Sequence, residues 1–217
     1  MSESAGPERV GTSTEFERGR ELDRVVFFSD AVFAISITVL TLSLRLPAHT
    51  TDAGVAHALR KTIPSIFTYV LSFAVIGLYW IAHHRMFRSI DRLDATLLLL
   101  NLATLCVVAF VPFPTSVLGD HGNTTAAVVF YAATMCLLGV VVLALWIYAS
   151  HHHRLIKADT PAAFVTHSLW RGATVPVVFA ASIPIAFADP HAAEWFWLLI
   201  VISPILLRRQ YGSIYDP

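Results

Sequence analysis

The chain of 217 residues is 56% hydrophobic and 14% charged, with 15 Lys+Arg against 15 Asp+Glu. An average soluble domain carries about 25% charge, and disorder requires low hydrophobicity with a high net charge, so neither class fits. Nucleic-acid binders usually carry a basic excess, which a net charge of +0 does not supply.

In chain order, residues 1–23 are rich in charge and contain no apolar core of a signal peptide. They read as a polar tail with a helical lead-in near Glu17–Arg24. The apolar run Val25–Leu44 follows, broken only by Asp30 and closed by Arg45 and Pro47. Thr62–His84, Ala95–Gly119 and His121–His153 contain no Asp, Glu, Lys or Arg at all. A membrane-crossing helix needs roughly 20 apolar residues, so these runs predict spans at about 25–44, 62–84, 95–118 and 125–149. Two weaker runs remain, Gly172–Ala188 and Trp195–Leu207. The first lengthens if Arg171 snorkels to the interface. Together they read as spans five and six, with a re-entrant hairpin as the alternative.

The expected architecture is therefore all-α and integral to the membrane. Six spans occupy 24–208, preceded by the 1–23 tail and followed by a short tail, 209–217. Basic residues orient it. With the N-terminus in the cytoplasm, Arg9, Arg18, Arg20, Arg24, Arg85, Arg88, Arg92, Arg154, Lys157, Arg171, Arg208 and Arg209 are inside, and only Arg45, Arg60 and Lys61 are outside. Both termini are then cytoplasmic, in a multi-pass protein of the cell membrane.

Ionisable groups inside a membrane are expensive and mark function. Asp30 is the one acid well within a hydrophobic run. It belongs to the string Arg24, Phe28, Ser29, Asp30, followed by Ala-Val-Phe-Ala-Ile. This string, with Trp80, His83 and His84 on the second span, resembles the signature of the endosomal/lysosomal transmembrane potassium channel family, in its bacterial single-repeat branch. The resemblance implies a homotetramer of six-span subunits in the lipid bilayer. Its pore would be lined by the first helix and favour potassium over sodium, with no cofactor, no resident metal and no nucleic-acid partner. It further implies that Ile35 forms an apolar constriction and that Thr38 supplies hydroxyl oxygens.

Helical geometry tests this independently. At about 100° per residue from Ile35, Leu42 falls near −20°, Val39 near +40°, Thr38 near −60° and Asp30 near −140°. Ile35, Thr38, Val39 and Leu42 therefore form one stripe and Asp30 faces away from it. Asp30 reads either as a structural lock, accepting hydrogen bonds from Trp80, His83 or His84 and pairing with Arg24, or as a carrier carboxylate in a small proton- or ion-coupled transporter. Broken midplane helices and inverted repeats, usual in transporters, are not evident, and no enzymatic constellation is present. His151–His153 read as a helix C-cap rather than a metal site. Pro112, Pro114, Pro176, Pro184 and Pro204 read as kinks or helix ends, and Trp195, Trp197 and Tyr211 as interfacial anchors.

Overall fold

The computed structural model describes residues 8–44 and 52–200. In lipid every backbone N–H and C=O must be satisfied within its own segment, so even β-branched runs fold as helix. The first helix, α1 (Glu8–Val39), is unbroken and begins earlier than the lead-in expected at Glu17. It tightens into a 3-10 turn at Leu40–Ser43. There the hydroxyls of Thr38, Thr41 and Ser43 each donate to the carbonyl three residues back, at 2.8, 2.7 and 2.6 Å, a local competition that loosens regular helix.

Helix α2 (Asp52–Arg88) passes through Pro64 without ending. Helix α3 (Ala95–Phe110) is capped by Asp94, whose carboxylate accepts the Leu97 N–H at 2.8 Å. The third span is interrupted at Val111: Pro112 opens a separate helix, α4 (Pro112–His121), as a first-turn proline permits. Helix α5 (Thr125–Ser150) ends in a 3-10 turn at His151–His153, where His152 (φ 52°) and His153 (φ 54°) adopt the left-handed conformation that closes helices. The Leu155 N–H then reaches back to the Ala149 carbonyl at 3.3 Å. Helix α6 (Ala162–Ala188) is continuous through Pro176 and Pro184, and the short α7 (Pro190–Phe196) follows.

Among the described residues, five helical runs are long and apolar enough to cross a membrane: Gly19–Ser43, Gly54–Arg88, Ala95–His121, Thr125–His153 and Ala162–Ala188. The fifth begins ten residues before the apolar run at Gly172, so Arg171 is interior to α6 rather than at its edge. Most of the sixth span expected at 195–207, together with Pro204, Arg208, Arg209 and Tyr211, lies outside the described residues. Trp197 corrects one expectation. It is no interfacial anchor but a fully buried residue whose indole N–H donates to Ser182 Oγ at 2.7 Å, while its ring packs on Tyr131 and Phe179.

Helix α5 is the hub, packed on α6, α3 and α4. Lipid is as apolar as leucine, so close backbone approach and interhelical hydrogen bonds do the work that water does elsewhere. Gly139 shows the first: a Cβ there would lie 2.7 Å from three ring carbons of Pro176. The linked hydroxyls of Thr115, Ser72 and Tyr131, at 3.0 and 2.9 Å, show the second. At the end where α2 meets α3, Ile90 and Ile156 pair in an isolated antiparallel bridge. Asp94 adds a tie there, accepting from Tyr148 at 2.7 Å and Arg154 at 3.0 Å. Partial burial pushes the Asp94 carboxyl up, but the hydrogen bonds from Tyr148 and Leu97 and the Arg154 charge outweigh it and hold the group below its ordinary value.

Candidate functional site: two faces of the first helix

Helix α1 packs on α2, α3 and α4 along one side only. The residues on that side are Ser29, Phe33, Ser36 and Leu40, all buried, at the i, i+4, i+7, i+11 spacing of a single helical stripe. The opposite side is bare in the subunit: Ile35 is 62% exposed, Leu42 64% and Val39 37%, and Thr38 is exposed beside them. The stripe computed from helical angles and the exposed face coincide. Thr38 spends its single proton on the Ile35 carbonyl. Its oxygen lone pairs, not its proton, are therefore what it offers to the bare side.

On the packed side, polar groups key α1 to its neighbours. Asp30 accepts the Trp80 indole N–H at 2.8 Å. His83 and His84 do not bond to Asp30, and Arg24 is exposed and makes no ion pair with it. Phe28 is 55% exposed and turned away from the packing seam. Ser29 and His83 instead meet through a residue the sequence reading passed over, Asn101 of α3. Its amide Nδ2 donates to Ser29 Oγ at 3.1 Å and its Oδ1 pairs with His83 Nε2 at 2.8 Å. Ser29 passes its own proton to the Val25 carbonyl at 2.8 Å. With Asn101 so oriented, His83 donates through Nε2, and its buried Nδ1 carries no hydrogen bond. The ring is clamped between Phe87 (4.3 Å, stacked) and Phe33 (5.5 Å), and His84 lies against Trp80 at 5.8 Å. Asn101 had one legible signal: it is the single amide in the charge-free run Ala95–Gly119.

One amide thus joins three helices, and one indole–carboxylate bond joins two of them again. This arrangement fixes the rotation of α1, directing Ser29 and Asp30 into the subunit and Ile35, Thr38, Val39 and Leu42 out of it. Chemically the outer stripe offers aliphatic bulk and hydroxyl oxygen, and no ionisable group. Among the described residues no cluster of three His, Cys, Asp or Glu is placed to hold a metal.

Five apolar spans held together by interhelical hydrogen bonds define a helical integral membrane protein with a rotationally fixed first helix. Comparison with known proteins then narrows the class. Residues 24–112 match the model of the endosomal/lysosomal potassium channel TMEM175. A potassium channel of Streptomyces collinus is 40% identical over 153 residues, covering 67% of this chain and 74% of that one. A potassium channel of Chamaesiphon minutus is 36% identical over 146 residues, covering 64% and 72%. The crystal structure of a lysosomal potassium-selective channel TMEM175 homologue from Chamaesiphon minutus superposes with a TM-score of 0.76 at 28% identity, covering 86% of this chain and 97% of that one. The chain belongs to the TMEM175 family.

Proposed function

We propose that the protein is a tetrameric cation channel of the cell membrane, with α1 of each subunit around the central axis, passing potassium in preference to sodium. The observation that carries this reading is the bare face of α1. Four copies facing one axis would bring Ile35, Val39 and Leu42 together as apolar rings, and bulky rings of this kind narrow a pore and gate it by dewetting. Thr38 lies on the same stripe with its oxygen outward, an oxygen ligand suited to a hard cation. The potassium-channel names of the bacterial relatives support the permeant ion. The lopsided distribution of basic residues supports cytoplasmic termini. Asp30 acts as the anchor that sets the rotation of α1, and not as a carrier group.

The test is flux from purified protein in liposomes under imposed potassium, sodium and proton gradients. Passive potassium flux exceeding sodium flux is expected. Ile35→Asn raises the flux of both ions and Thr38→Ala lowers the potassium/sodium ratio. Folded protein that passes no cation overturns the channel, and saturating flux with obligatory proton exchange would identify a coupled transporter instead.

A further inference from the structure

Helix α1 ends in the 3-10 turn Leu40–Ser43, and the tighter winding changes which side chains share a face. A continuous α-helix advances about 100° per residue, which puts Thr41 near −120° from Ile35, off the stripe and close to the direction of Asp30. A 3-10 helix advances about 120° per residue, so side chains three apart eclipse one another. Counted at that pitch from Val39, Thr41 turns to about −80°, over Thr38 at about −60°, and Leu42 turns to about +40°, over Val39. The exposures follow this pattern: Thr38, Val39, Thr41 and Leu42 are exposed, Leu40 is buried and Ser43 is half-buried.

Packing and hydrogen bonds hold the turn in this form. Leu40 is fully enclosed where the turn packs on α2 and α4. The Leu44 N–H donates to the Thr41 carbonyl at 3.1 Å, and the extended backbone of Leu44 closes the turn. The Thr41 hydroxyl donates to the Thr38 carbonyl at 2.7 Å, as the Thr38 hydroxyl does to the Ile35 carbonyl at 2.8 Å. Both protons are spent along the helix, so oxygen lone pairs are what both threonines offer outward. With a rise of about 1.5–2.0 Å per residue, the two hydroxyls stand roughly 5 Å apart along α1. A ring of oxygens replaces part of an ion's water shell, and several sites of moderate strength in succession let the ion enter and also leave.

We propose that Thr41 is a second selectivity residue. With its counterparts in the other subunits it forms a ring of hydroxyl oxygens one turn beyond the Thr38 ring, and a potassium ion passes from one ring to the next. This rests on α1 being the pore helix of a tetramer, as proposed above. The 3-10 turn is what puts the second ring in place, because an α-helical ending would carry the Thr41 hydroxyl away from the axis.

The full-length protein in liposomes, under equal imposed gradients of potassium and of sodium, provides the test. Thr41→Val keeps the shape and removes the oxygen. It is expected to lower the potassium/sodium flux ratio by at least about twofold, the effect of one lost polar contact, and Thr41→Ser to restore the wild-type ratio. Ser43→Ala, on the half-buried side of the same turn, leaves the ratio unchanged. In a background carrying Cys106→Ser and Cys136→Ser, a cationic methanethiosulfonate reagent slows flux through Thr41→Cys and not through Ser43→Cys, an arm that decides the matter if Thr41→Val does not fold. The proposal is overturned if folded Thr41→Val keeps the wild-type ratio, if Thr41→Ser is as impaired as Thr41→Val, if Ser43→Ala lowers the ratio as far, or if Thr41→Cys is indifferent to the reagent. In each of those cases a wild type that still favours potassium leaves the channel standing and removes Thr41 alone. Folded wild type that passes no cation removes both.

Discussion

Helices α1 and α5 have nearly the same apolarity, with mean hydropathy 2.2 and 2.6 over their spans, yet 22% of one apolar stretch is buried within the subunit and 50% of the other. Hydropathy says only that both belong in a membrane. What separates them is the placement of small and polar residues. In α5 a glycine admits the Pro176 ring and buried tyrosine and threonine point inward. In the first span the small polar residues Ser29 and Ser36 share the buried stripe with Phe33 and Leu40, while Ile35, Val39 and Leu42 lie uncovered on the other. A helix patterned like α5 is enclosed by its own chain. A helix patterned like α1 keeps one face uncovered by its own chain.

The comparison can be broken, beginning with the largest effect. Asn101→Leu takes the donor from Ser29 Oγ and leaves the buried His83 Nε2 without its acceptor, and a buried polar group so orphaned costs about 1–3 kcal/mol. The variant should show the largest fall in melting temperature in detergent, and an unchanged melt would remove Asn101 from the account of how α1 is held. Gly139→Ala forces the α5–α6 contact apart and should cost about 1–3 kcal/mol as an overpacked site. Adding Pro176→Ala removes the opposing ring and should restore part of the loss, whereas simple additivity of the two changes would show that the contact is not the cause. Trp80→Phe keeps the ring and deletes the donor to Asp30. Interhelical bonds in membranes average about 0.6 kcal/mol, so a small fall in melting temperature should accompany altered flux as α1 gains rotational freedom.

Ile35→Asn sharpens the contrast from the other side. The residue touches little within its subunit, so the melt of the dissociated subunit should move by no more than about 0.5 kcal/mol while flux changes. The remaining stability effect belongs to Asp94→Asn. Asparagine still caps α3, but the charge paired with Arg154 is lost. Because the folded-state carboxyl is held below its ordinary value of 3.8, its contribution is full above about pH 4 and disappears as pH falls through the lowered value. The pair is substantially exposed, so the contribution is under about 1 kcal/mol. Wild type should lose thermal stability on acidification below pH 4 slightly faster than the variant, and identical acid profiles would assign the loss to other groups.

Much of this was legible in the residues. The runs free of charge locate the spans because a charge in hydrocarbon is costly, and the stripe on α1 follows from a fixed 100° step. Other features depend on contacts between distant segments. Trp197 beside Glu194 reads as an interfacial residue until Ser182, fifteen positions earlier, provides an acceptor deep in the bundle. Pro176 and Pro184 read as kinks or helix ends, and neither ends α6, which continues through both, as helices in a membrane can when their neighbours support the freed carbonyls. Asn101 was overlooked because a neutral amide does not register in a count of charges, although its two-sided hydrogen-bonding capacity is what a junction of three helices needs. Asp30 was visible as the exceptional acid. Which of Trp80, His83 and His84 it would meet was not, since all three lie within about one turn of α2.

The three-way junction also bears on how the chain is made. Ser29, His83 and Asn101 come from the first, second and third spans in that order, so during synthesis the amide enters the bilayer after both of its partners. A span arriving with an unpaired amide has reason to settle at once against the two already present. If either is turned the wrong way, the amide remains unsatisfied in lipid. The same bonds that hold α1 in register in the finished protein therefore also penalise a misrotated first or second span.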